Sequence, residues 1–373
     1  MNETDLESLR AELDALDEGI LAAAAQRARL VERVAEFKRR EGRAIFDRSR
    51  EQRIAVKTRE RAERLGLDFA TADALMAALV DASHRVQEQV LAAPEASSGD
   101  ARRVAIVGGR GQMGLLLGRW LEARGHIVTA LDVGDSLDAV QDAEIVIISV
   151  PMAQAEAVAA DVGPRLKADA LLCDINSLKS GVCGAMSAAF PGEVLGLHPM
   201  FGPSVRSARR QKVVACPVRP GPVGAWLCAE FGRMGAELIE TDPETHDTMM
   251  AVIQVLVHFS TIARGDALRR IGVPIEQSLR FTSPIYRLEL AFIGRLFTQN
   301  PDLYAEITMR NPQSARVREA FTAAVAHLDS IVGAGDRDGF RAAFEDTSQF
   351  FAGFGPDAMR LSDLVIETLV RQP

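Results

Sequence analysis

Apolar residues recur at alternating spacings of three and four over the first forty positions of the chain. The series consists of Leu6, Leu9, Leu13, Leu16 and Ile20. Thr4 with Glu7 forms a capping box in front of it, so the pattern predicts an amphipathic helix over about residues 5–40. Further helices are predicted over about 47–65 and 70–91. Because a small domain cannot cover so long a helix, we expect its far half to pack against a partner, commonly a second copy of the chain.

The pattern changes at residue 103, where apolar β-branched runs begin to alternate with helical segments. The runs are VAIVG, HIVTALD, AEIVIISVP, ALLCDI, EVLGLHP and KVVACPV. This alternation predicts a parallel sheet with helices on both faces. No strand pattern follows about residue 243, and helices are predicted over 245–273, 283–299, 301–309 and 311–370. Ser283 as N-cap and Pro284 at the first helical position begin the second of these.

The segment LAAPEASSGDARR between the two patterns is rich in alanine, serine, proline and glycine, which is typical of a linker. The sequence therefore predicts a multidomain protein. We place an all-α domain at 1–91, a linker at 92–102, a central α/β domain at 103–242 and a second all-α domain at 243–373. A C-terminal helical domain of this size often supplies a dimer interface, so we expect a homodimer.

Composition limits the kinds of partner and compartment. The 373 residues carry a net charge of −8 and a pI near 5.4, which disfavours nucleic acid or an anionic membrane as a partner. The four cysteines lack zinc-site spacing, so no metal is expected and a reducing cytoplasm fits. The charged N-terminus resembles no signal peptide, and no apolar run approaches the length of a membrane span. We therefore expect a cytoplasmic protein.

A glycine motif opens the central domain. The candidate cofactor-binding residues are Gly109, Gly111, Gln112, Met113, Gly114 and Asp132. The three glycines fit G-x-G-x-x-G between an apolar strand and a helix, the context of a Rossmann dinucleotide site. Asp132 ends the next strand about 20 residues on, where a carboxylate binds ribose hydroxyls and repels a 2′-phosphate. The motif predicts NAD rather than NADP.

A histidine follows a later strand of the same domain. His198 lies in LGLHPMFGP, and Ser177 and Lys179 follow the preceding strand, so all three are expected on one rim of the sheet. Oxidation of an alcohol needs an acceptor for the hydroxyl proton, and neutral histidine suits this near pH 7. The alternative is a histidine that only caps a loop.

Two arginines and another histidine lie in the C-terminal helices. Arg287 and Arg295 belong to the largely apolar SPIYRLELAFIGRLF, where a guanidinium must find an anion or reach solvent. Either could bind a substrate carboxylate, and a structural ion pair is an equal alternative. His258, in VLVHFS, is also a candidate for substrate binding, although such a histidine more often belongs to the core.

The first three helices carry a scattered polar set. Its members are Arg10, Arg27, Lys38, Asp47, Arg50, Glu51, Ser83 and Gln87. Lys38 follows Arg27 by eleven residues, so the two share a helix face, whereas Arg10 points about a quarter-turn away, as expected if it serves another site. The alternative interpretation of the set is the solvated face of a helical hairpin.

This set, with its spacing, resembles the active site of the all-helical chorismate mutases. The remainder of the chain resembles prephenate dehydrogenase. The motifs that carry this second resemblance are GGRGQMG, DINSLKSG, LGLHPMFGP, ETHDTMMAVIQVLVHF and SPIYRLELAFIGRLF. Together they cover nearly the full length in the order of the T-protein family, the bifunctional chorismate mutase/prephenate dehydrogenases of tyrosine biosynthesis.

The resemblance implies roles for the helical residues. Arg10 from the partner subunit and Arg27 would hold the two carboxylates of chorismate. Lys38 and Gln87 would hydrogen-bond the ether oxygen, and Glu51 the ring hydroxyl. The remaining substrate-binding positions would be Asp47, Arg50 and Ser83. The rearrangement is unimolecular, so such a site works by selecting a compact conformer and stabilising charge on the ether oxygen.

The resemblance also implies roles in the second reaction. His198, oriented by Ser177, would accept a hydrogen bond from the C4 hydroxyl of prephenate as hydride passes to NAD. Arg295 would bind the ring carboxylate, which leaves as carbon dioxide while 4-hydroxyphenylpyruvate forms. The remaining substrate-binding positions would be Lys179, Arg287 and His258. L-tyrosine is implied as a candidate feedback inhibitor.

Three alternatives stay open on the sequence. The chain could be an arogenate dehydrogenase, which differs in the side chain of its substrate. The helical domain could be a non-catalytic dimerising or regulatory module, although its polar set is intact. The dinucleotide domain could be a sensor, although His198, Ser177 and Arg295 occur together.

Overall fold

The computed structural model describes residues 3–40, 48–92 and 101–370. Three helices come first: α1 (Glu3–Arg40), α2 (Arg48–Leu65) and α3 (Phe69–Ala92). Both α1 and α2 pack against α3. The predicted order of a helical part, an α/β part and a second helical part is confirmed.

A single seven-stranded sheet forms the central part. Its strands are β1 (Arg103–Val107), β2 (Ile127–Leu131), β3 (Ile145–Ile148), β4 (Leu171–Asp174), β5 (Glu193–Pro199), β6 (Lys212–Arg219) and β7 (Glu237–Glu240). The order across the sheet is β2-β1-β3-β4-β5-β6-β7. All neighbours are parallel except β5 and β6, which are antiparallel.

Two features of the sheet differ from the prediction. The all-parallel arrangement is wrong at β6, because the connection at 200–211 contains no crossover helix of the kind that parallel strands need. The strand β7 was not predicted from the sequence. Its four residues ELIE are short, partly charged and exposed along this edge of the sheet, so they lack the apolar run by which buried strands are recognised.

Helices cover both faces of the sheet, as predicted. They are α4 (Gln112–Ala123), α5 (Met152–Val162), α6 (Ser180–Ala189) and α7 (Pro222–Arg233). Helices α5 and α6 bury Ala159 and Met186 against one face, and α4 and α7 bury Leu117 and Phe231 against the other. Each layer is continuous, so the ends of the strands are held rigidly at the edge where ligands bind in open α/β sheets.

The C-terminal part is helical. Its helices are α8 (Pro243–Met250), α9 (Val257–Ile271), α10 (Ile275–Leu279), α11 (Pro284–Phe297), α12 (Pro301–Arg310), α13 (Ser314–Gly333), α14 (Arg337–Phe351) and α15 (Gly355–Val370). A π-helical turn over Ala251–Leu256 joins α8 to α9. The Ser283 hydroxyl caps α11 by accepting from the Tyr286 N–H at 3.2 Å, as predicted.

One helical stretch, Pro243–Ile271, is long and apolar enough by length and composition to cross a membrane. One such stretch is weak evidence for a span, because core helices have the same length and composition, so the expectation of no clear membrane span stands. The stretch also carries Gln254 and His258 near its middle and buries Met250 and Val255 within the protein. An unsatisfied polar side chain is costly in hydrocarbon, so these features favour a helix packed within protein.

Apolar surface remains uncovered at both ends of the chain. The leucines and isoleucine of the predicted α1 stripe are exposed, from 38% for Leu6 to 65% for Leu16. Many aromatic residues of the C-terminal helices are exposed as well, including Phe292, Phe344 and Phe350. Patches of this extent are typical of surfaces that bind another protein chain.

Candidate active sites

The glycine turn after β1 is packed too tightly for side chains. Gly108 has φ +83°, and a Cβ there would lie 2.4 Å from the Ser149 carbonyl oxygen. A Cβ on Gly109 would lie 2.8 Å from the backbone of the next strand, and one on Gly114 would lie 2.5 Å from the Gly108 oxygen. Glycine is therefore required at three positions, and of these Gly108 was not predicted.

The turn presents the beginning of α4. Gly111 is the N-cap and provides no side-chain cap, so the first N–H groups of the helix are available to an anion, which the helix dipole also favours. Gln112 and Met113 occupy the first turn of the helix. These features fit the pyrophosphate of a dinucleotide.

Asp132 lies directly beyond β2, beside this turn. Its carboxylate accepts the backbone N–H of Arg110 at 3.3 Å and that of Val133 at 2.9 Å. The guanidinium of Arg110 pairs instead with Asp135 at 2.6 Å. A carboxylate thus stands next to the glycine turn, and the nearest cation is already neutralised.

His198 ends the apolar part of β5 and is 97% buried. Its Nδ1 lies 2.9 Å from Nε2 of His246, and its Nε2 lies 3.5 Å from Nε2 of Gln254. His246 Nδ1 in turn lies 2.8 Å from Oδ1 of Asp247. We call His198, His246, Asp247 and Gln254 the sheet-edge site.

The carboxylate of Asp247 is fixed by backbone donors. It accepts the N–H of Lys179 at 2.8 Å and that of Ser180 at 2.9 Å, at the beginning of α6. Burial alone would raise the pKa of Asp247, but these hydrogen bonds and that from His246 lower it below its usual value. Asp247 is therefore an anion inside the protein.

The pKa of His198 lies well below its usual value. Burial is the largest cause, followed by the nearby His246 and Lys179, while Asp247 acts in the opposite direction. His198 is consequently neutral over the physiological range and is able to accept a proton. This supports the predicted choice of His198 as the proton acceptor.

The prediction that Lys179 binds substrate disagrees with the structure. Its side chain is completely buried, where its ammonium pairs with Asp174 and donates to the Leu197 carbonyl at 2.8 Å. The turn after β4 directs this side chain back under the strand that carries His198. Lys179 therefore supports the strand below the histidine rather than facing a ligand.

The predicted orientation of His198 by Ser177 also needs correction. Ser177 is half-buried on the same rim, but across the described part of the chain the hydrogen-bond partners of the His198 ring are His246 and Gln254. Sequence reasoning missed His246 and Asp247, because they lie 48 and 49 residues further along the chain and meet β5 only through packing of α8.

Gln254 belongs to the π-helical turn, a rare element that often marks functional positions. Its Oε1 is buried without a hydrogen-bond partner. A buried amide oxygen left in this state costs free energy, so Gln254 is well placed to accept a hydrogen bond from a ligand beside His198.

His258 follows Gln254 by one helical turn, on the same face. Its half-buried ring packs edge-on against Tyr304 at 4.7 Å between centroids, and burial lowers its pKa. Arg295 is exposed, yet close enough to Tyr304 to act on its pKa. Arg287 is exposed as well. The two arginines thus lie on the exposed surface, and among the described residues neither contacts His198.

A second cluster forms between α1 and α3. Arg27 donates to the Leu79 carbonyl at 2.6 Å and to the Ser83 hydroxyl. Lys38 donates to Gln87 Oε1 at 3.2 Å. The pKa of Arg27 is lowered, mainly by burial and secondly by Arg50 of α2, so α2 also lies close to this cluster. We therefore call Arg27, Lys38, Ser83 and Gln87 the three-helix site.

Three other predicted residues are not part of this cluster as described. Arg10 is exposed on α1, seventeen residues before Arg27, which is about 25 Å along a helix. The backbone of Glu51 lies in α2, but its side chain is not described. Asp47 lies outside the described residues.

Family models match three parts of the chain. They are chorismate mutase type II over 9–88, the nucleotide-binding domain of prephenate dehydrogenase over 122–220, and the dimerization domain of prephenate dehydrogenase over 242–346. The first range holds the three-helix site, and the other two hold His198, His246 and Gln254.

Similar proteins include curated relatives and a solved structure. The T-protein of Enterobacter agglomerans is 37% identical, with 93% of each chain covered. The T-protein of Haemophilus influenzae is 32% identical, with 97% of this chain and 96% of the relative covered. A prephenate dehydrogenase structure from A. aeolicus, in complex with hydroxyphenyl propionate and NAD+, has a TM-score of 0.56 at 19% identity and covers 71% of this chain and 100% of its own. That likeness shows the fold.

Proposed function

The chain belongs to the T-protein family and is a bifunctional chorismate mutase and prephenate dehydrogenase of tyrosine biosynthesis, and we propose how its two sites divide these reactions. The three-helix site rearranges chorismate to prephenate. The sheet-edge site oxidises prephenate to 4-hydroxyphenylpyruvate and carbon dioxide. The matched ranges support domains at 1–91, 103–242 and 243–373, joined by a linker at 92–102.

The dinucleotide of the dehydrogenase is NAD. The turn of Gly109, Gly111 and Gly114 and the first N–H groups of α4 would hold the pyrophosphate, and Asp132 would bind the ribose hydroxyls. The tight packing of the turn supports this, because a Cβ on Gly109 or Gly114 would clash with the backbone that forms it. When bound, NAD supplies the hydride acceptor of the oxidation.

His198 accepts the C4 hydroxyl proton of prephenate at Nε2. The hydride leaves C4, the ring carboxylate leaves as carbon dioxide, and the electrons of that broken bond complete the aromatic ring while the C4 oxygen takes the proton back from His198. Gln254 adjoins the same nitrogen at 3.5 Å and offers a buried carbonyl oxygen to the substrate.

The substrate carboxylates need cations. Arg295 binds the ring carboxylate, and Arg287 and His258 belong to the same face of the substrate site. The exposure of both arginines supports this arrangement, since neither is held by an internal ion pair that the structure describes. Ser177 follows β4, the strand next to that of His198, and it contacts the bound substrate or cofactor rather than His198.

In the mutase, Lys38 and Gln87 hydrogen-bond the ether oxygen of chorismate. Their mutual contact at 3.2 Å places an ammonium and an amide at one point between α1 and α3. Arg27, Arg50 and Ser83 bind the carboxylates, and the expected contacts of Glu51 and Asp47 complete the site. Preorganised donors of this kind stabilise charge that grows in the transition state.

The protein acts as a homodimer in the cytoplasm, with L-tyrosine as a feedback inhibitor. The dimerization-domain match and the exposed apolar surface of the C-terminal helices support the dimer. A second contact runs along α1, where the partner subunit's Arg10 completes the mutase site. The distance of Arg10 from its own Arg27 supports this exchange.

The buried contacts of His198 carry this assignment, and His198→Asn tests it. The variant should lose nearly all dehydrogenase activity and retain mutase activity, measured as NADH formed from prephenate and as chorismate consumed without NAD. Arogenate is assayed beside prephenate. Equal loss of both activities, or faster turnover of arogenate by the wild type, would contradict the proposal.

A further inference from the structure

We infer that His246 and Asp247 are positioning residues of the dehydrogenase, which hold His198 in the one tautomer that leaves Nε2 free to accept a proton. Both are buried and neither is exposed to a ligand at the rim. They therefore act through His198. The inference rests on the proposed function, because it concerns the proton that His198 takes from the substrate hydroxyl.

The direction of the hydrogen bonds follows from groups that can only donate. The backbone N–H groups of Lys179 and Ser180 donate to Asp247, so its carboxylate is the acceptor at both oxygens. His246 Nδ1, 2.8 Å away, must then carry a hydrogen. Gln254 Nε2, an amide nitrogen that can only donate, lies 3.5 Å from His198 Nε2, so His198 Nδ1 carries the hydrogen and donates to His246 Nε2 at 2.9 Å. The lone pair of neutral His198 is left on Nε2.

Several elements keep this arrangement rigid. His198 comes from β5, His246 and Asp247 from α8, and the two backbone donors from the beginning of α6. Asn311, after α12, donates its side-chain N–H to the Asp247 carbonyl at 2.8 Å. A buried ring held in this way has no alternative partner for Nδ1, so the second tautomer would set the Nδ1 lone pair against that of His246 Nε2 and the Nε2 hydrogen against the Gln254 amide N–H.

The arrangement also affects the charged state of His198. The groups that act on its ring are His246, Lys179 and Asp247, and Asp247 alone raises its pKa. Lys179 is paired with Asp174 below the strand. When His198 takes the substrate proton, the imidazolium is thus stabilised through His246 by the Asp247 carboxylate, the logic by which an aspartate orients the histidine of a catalytic triad.

Two substitutions of His246 separate this role from simple packing. His246→Gln can place its amide oxygen near the former Nε2, where it still accepts from His198 Nδ1. His246→Asn reaches only the former Nδ1, so it keeps the contact with Asp247 and leaves His198 without an acceptor. His246→Asn should lower kcat for prephenate by about 100-fold or more, and His246→Gln by less than about tenfold, both with KM nearly unchanged.

Asp247→Asn provides a second readout. Because the carboxylate raises the pKa of His198, its removal should move the acid limb of the kcat/KM profile to lower pH while kcat falls. Denaturant unfolding of the same preparations reports folding, and His327→Gln, at an exposed histidine of α13, is the matched control that should change nothing.

The wild-type enzyme supplies a test in which the tautomer is read without substitution at His246 or Asp247. In ¹⁵N-histidine NMR spectra, with His198 assigned by loss of its signals in His198→Asn, Nδ1 should be protonated and Nε2 unprotonated. The opposite tautomer, equal losses in the two His246 variants, or an unmoved acid limb would overturn the inference. Failure of the wild type to oxidise prephenate would instead overturn the proposed function.

Discussion

In the sheet-edge site the ionisable groups lie inside the protein and find their partners within one chain, whereas in the three-helix site they lie on a half-open surface. Asp247 receives two backbone N–H groups and His246, and His198 is 97% buried. Arg27 and Lys38 have partners on α3, but Arg10 stands about 25 Å away along α1 and is exposed. One chain therefore assembles the first site around its proton acceptor, whereas the second site as we propose it takes one cation, Arg10, from the partner subunit.

The difference is visible in the apolar residues as well. Each face of the sheet is covered by its own helices, so α4 to α7 bury most of their apolar residues. The stripe of α1 is uncovered over its first half, from Leu6 to Ile20. Full burial of one such side chain is worth about 1.5–3 kcal/mol, and several together provide a strong drive for association. This exposed stripe is consistent with the proposal that the mutase site is completed by a second copy of the chain.

The largest effect is expected from Lys38→Ala. This change removes the ammonium that faces Gln87, so mutase activity should fall by about 10²–10³-fold or more, as when one donor to a developing oxyanion is lost. Oxidation of supplied prephenate should continue at the wild-type rate. Lys57→Ala, at an exposed lysine of α2, is the matched control. Loss of both activities in a folded Lys38→Ala enzyme would mean that the two regions share one site.

The next largest effect is expected on mutase activity when Arg10, which lies far from Arg27 in its own chain, is replaced. Arg10→Ala and Lys38→Ala homodimers should each be nearly inactive as mutases. When they are unfolded and refolded together, about half of the dimers are mixed and each mixed dimer has one intact site, so about a quarter of wild-type mutase activity should return. Absence of recovery, with subunit exchange demonstrated by differently tagged chains, would place Arg10 outside the partner's site.

Within the α/β part, the sequence predicts local features well and long-range contacts poorly. The strands β1 and β3 to β5 follow from short apolar runs, and the glycine turn follows from its spacing, since both depend on neighbours in the chain. The contact of His198 with His246 joins positions 48 residues apart, and no periodicity marks it. The same holds for Lys179, whose burial is decided by the turn after β4 rather than by residue type.

Local patterns failed in a different manner in the C-terminal part. A single helix was expected over 245–273, but a π-helical turn over Ala251–Leu256 interrupts it. An additional residue in one turn leaves the apolar periodicity nearly unchanged, so the interruption has no clear sequence signal. The long helical stretch predicted over 311–370 is likewise divided, at Gly335 and Gly353, into α13, α14 and α15. Glycine there marks the boundaries that apolar spacing alone does not show.

A smaller effect is expected at the dinucleotide turn. Asp132→Ala should reduce the preference for NAD over NADP by roughly tenfold or more, because repulsion between a carboxylate and a 2′-phosphate is worth a few kcal/mol near a protein surface. The ratio of kcat/KM with the two cofactors measures it. Asp138→Ala, at an exposed carboxylate that pairs with Arg165, should leave the ratio unchanged. Equal use of both cofactors by the wild type would contradict the role of Asp132.

The smallest effect concerns the contact between the two regions. Asp81 of α3 and Arg209, on the connection between β5 and β6, form an ion pair at 3.3 Å. Because the Asp81 side chain is 53% exposed, the pair should contribute no more than about 1 kcal/mol. A double-mutant cycle of Asp81→Asn and Arg209→Gln, followed by denaturant unfolding and by both activities, measures this coupling. We expect changes below about threefold in either rate, so that the mutase and the dehydrogenase respond independently to damage in the other. A coupling of several kcal/mol, with both rates falling together, would instead show that α3 and the strand end that carries His198 form one cooperative unit.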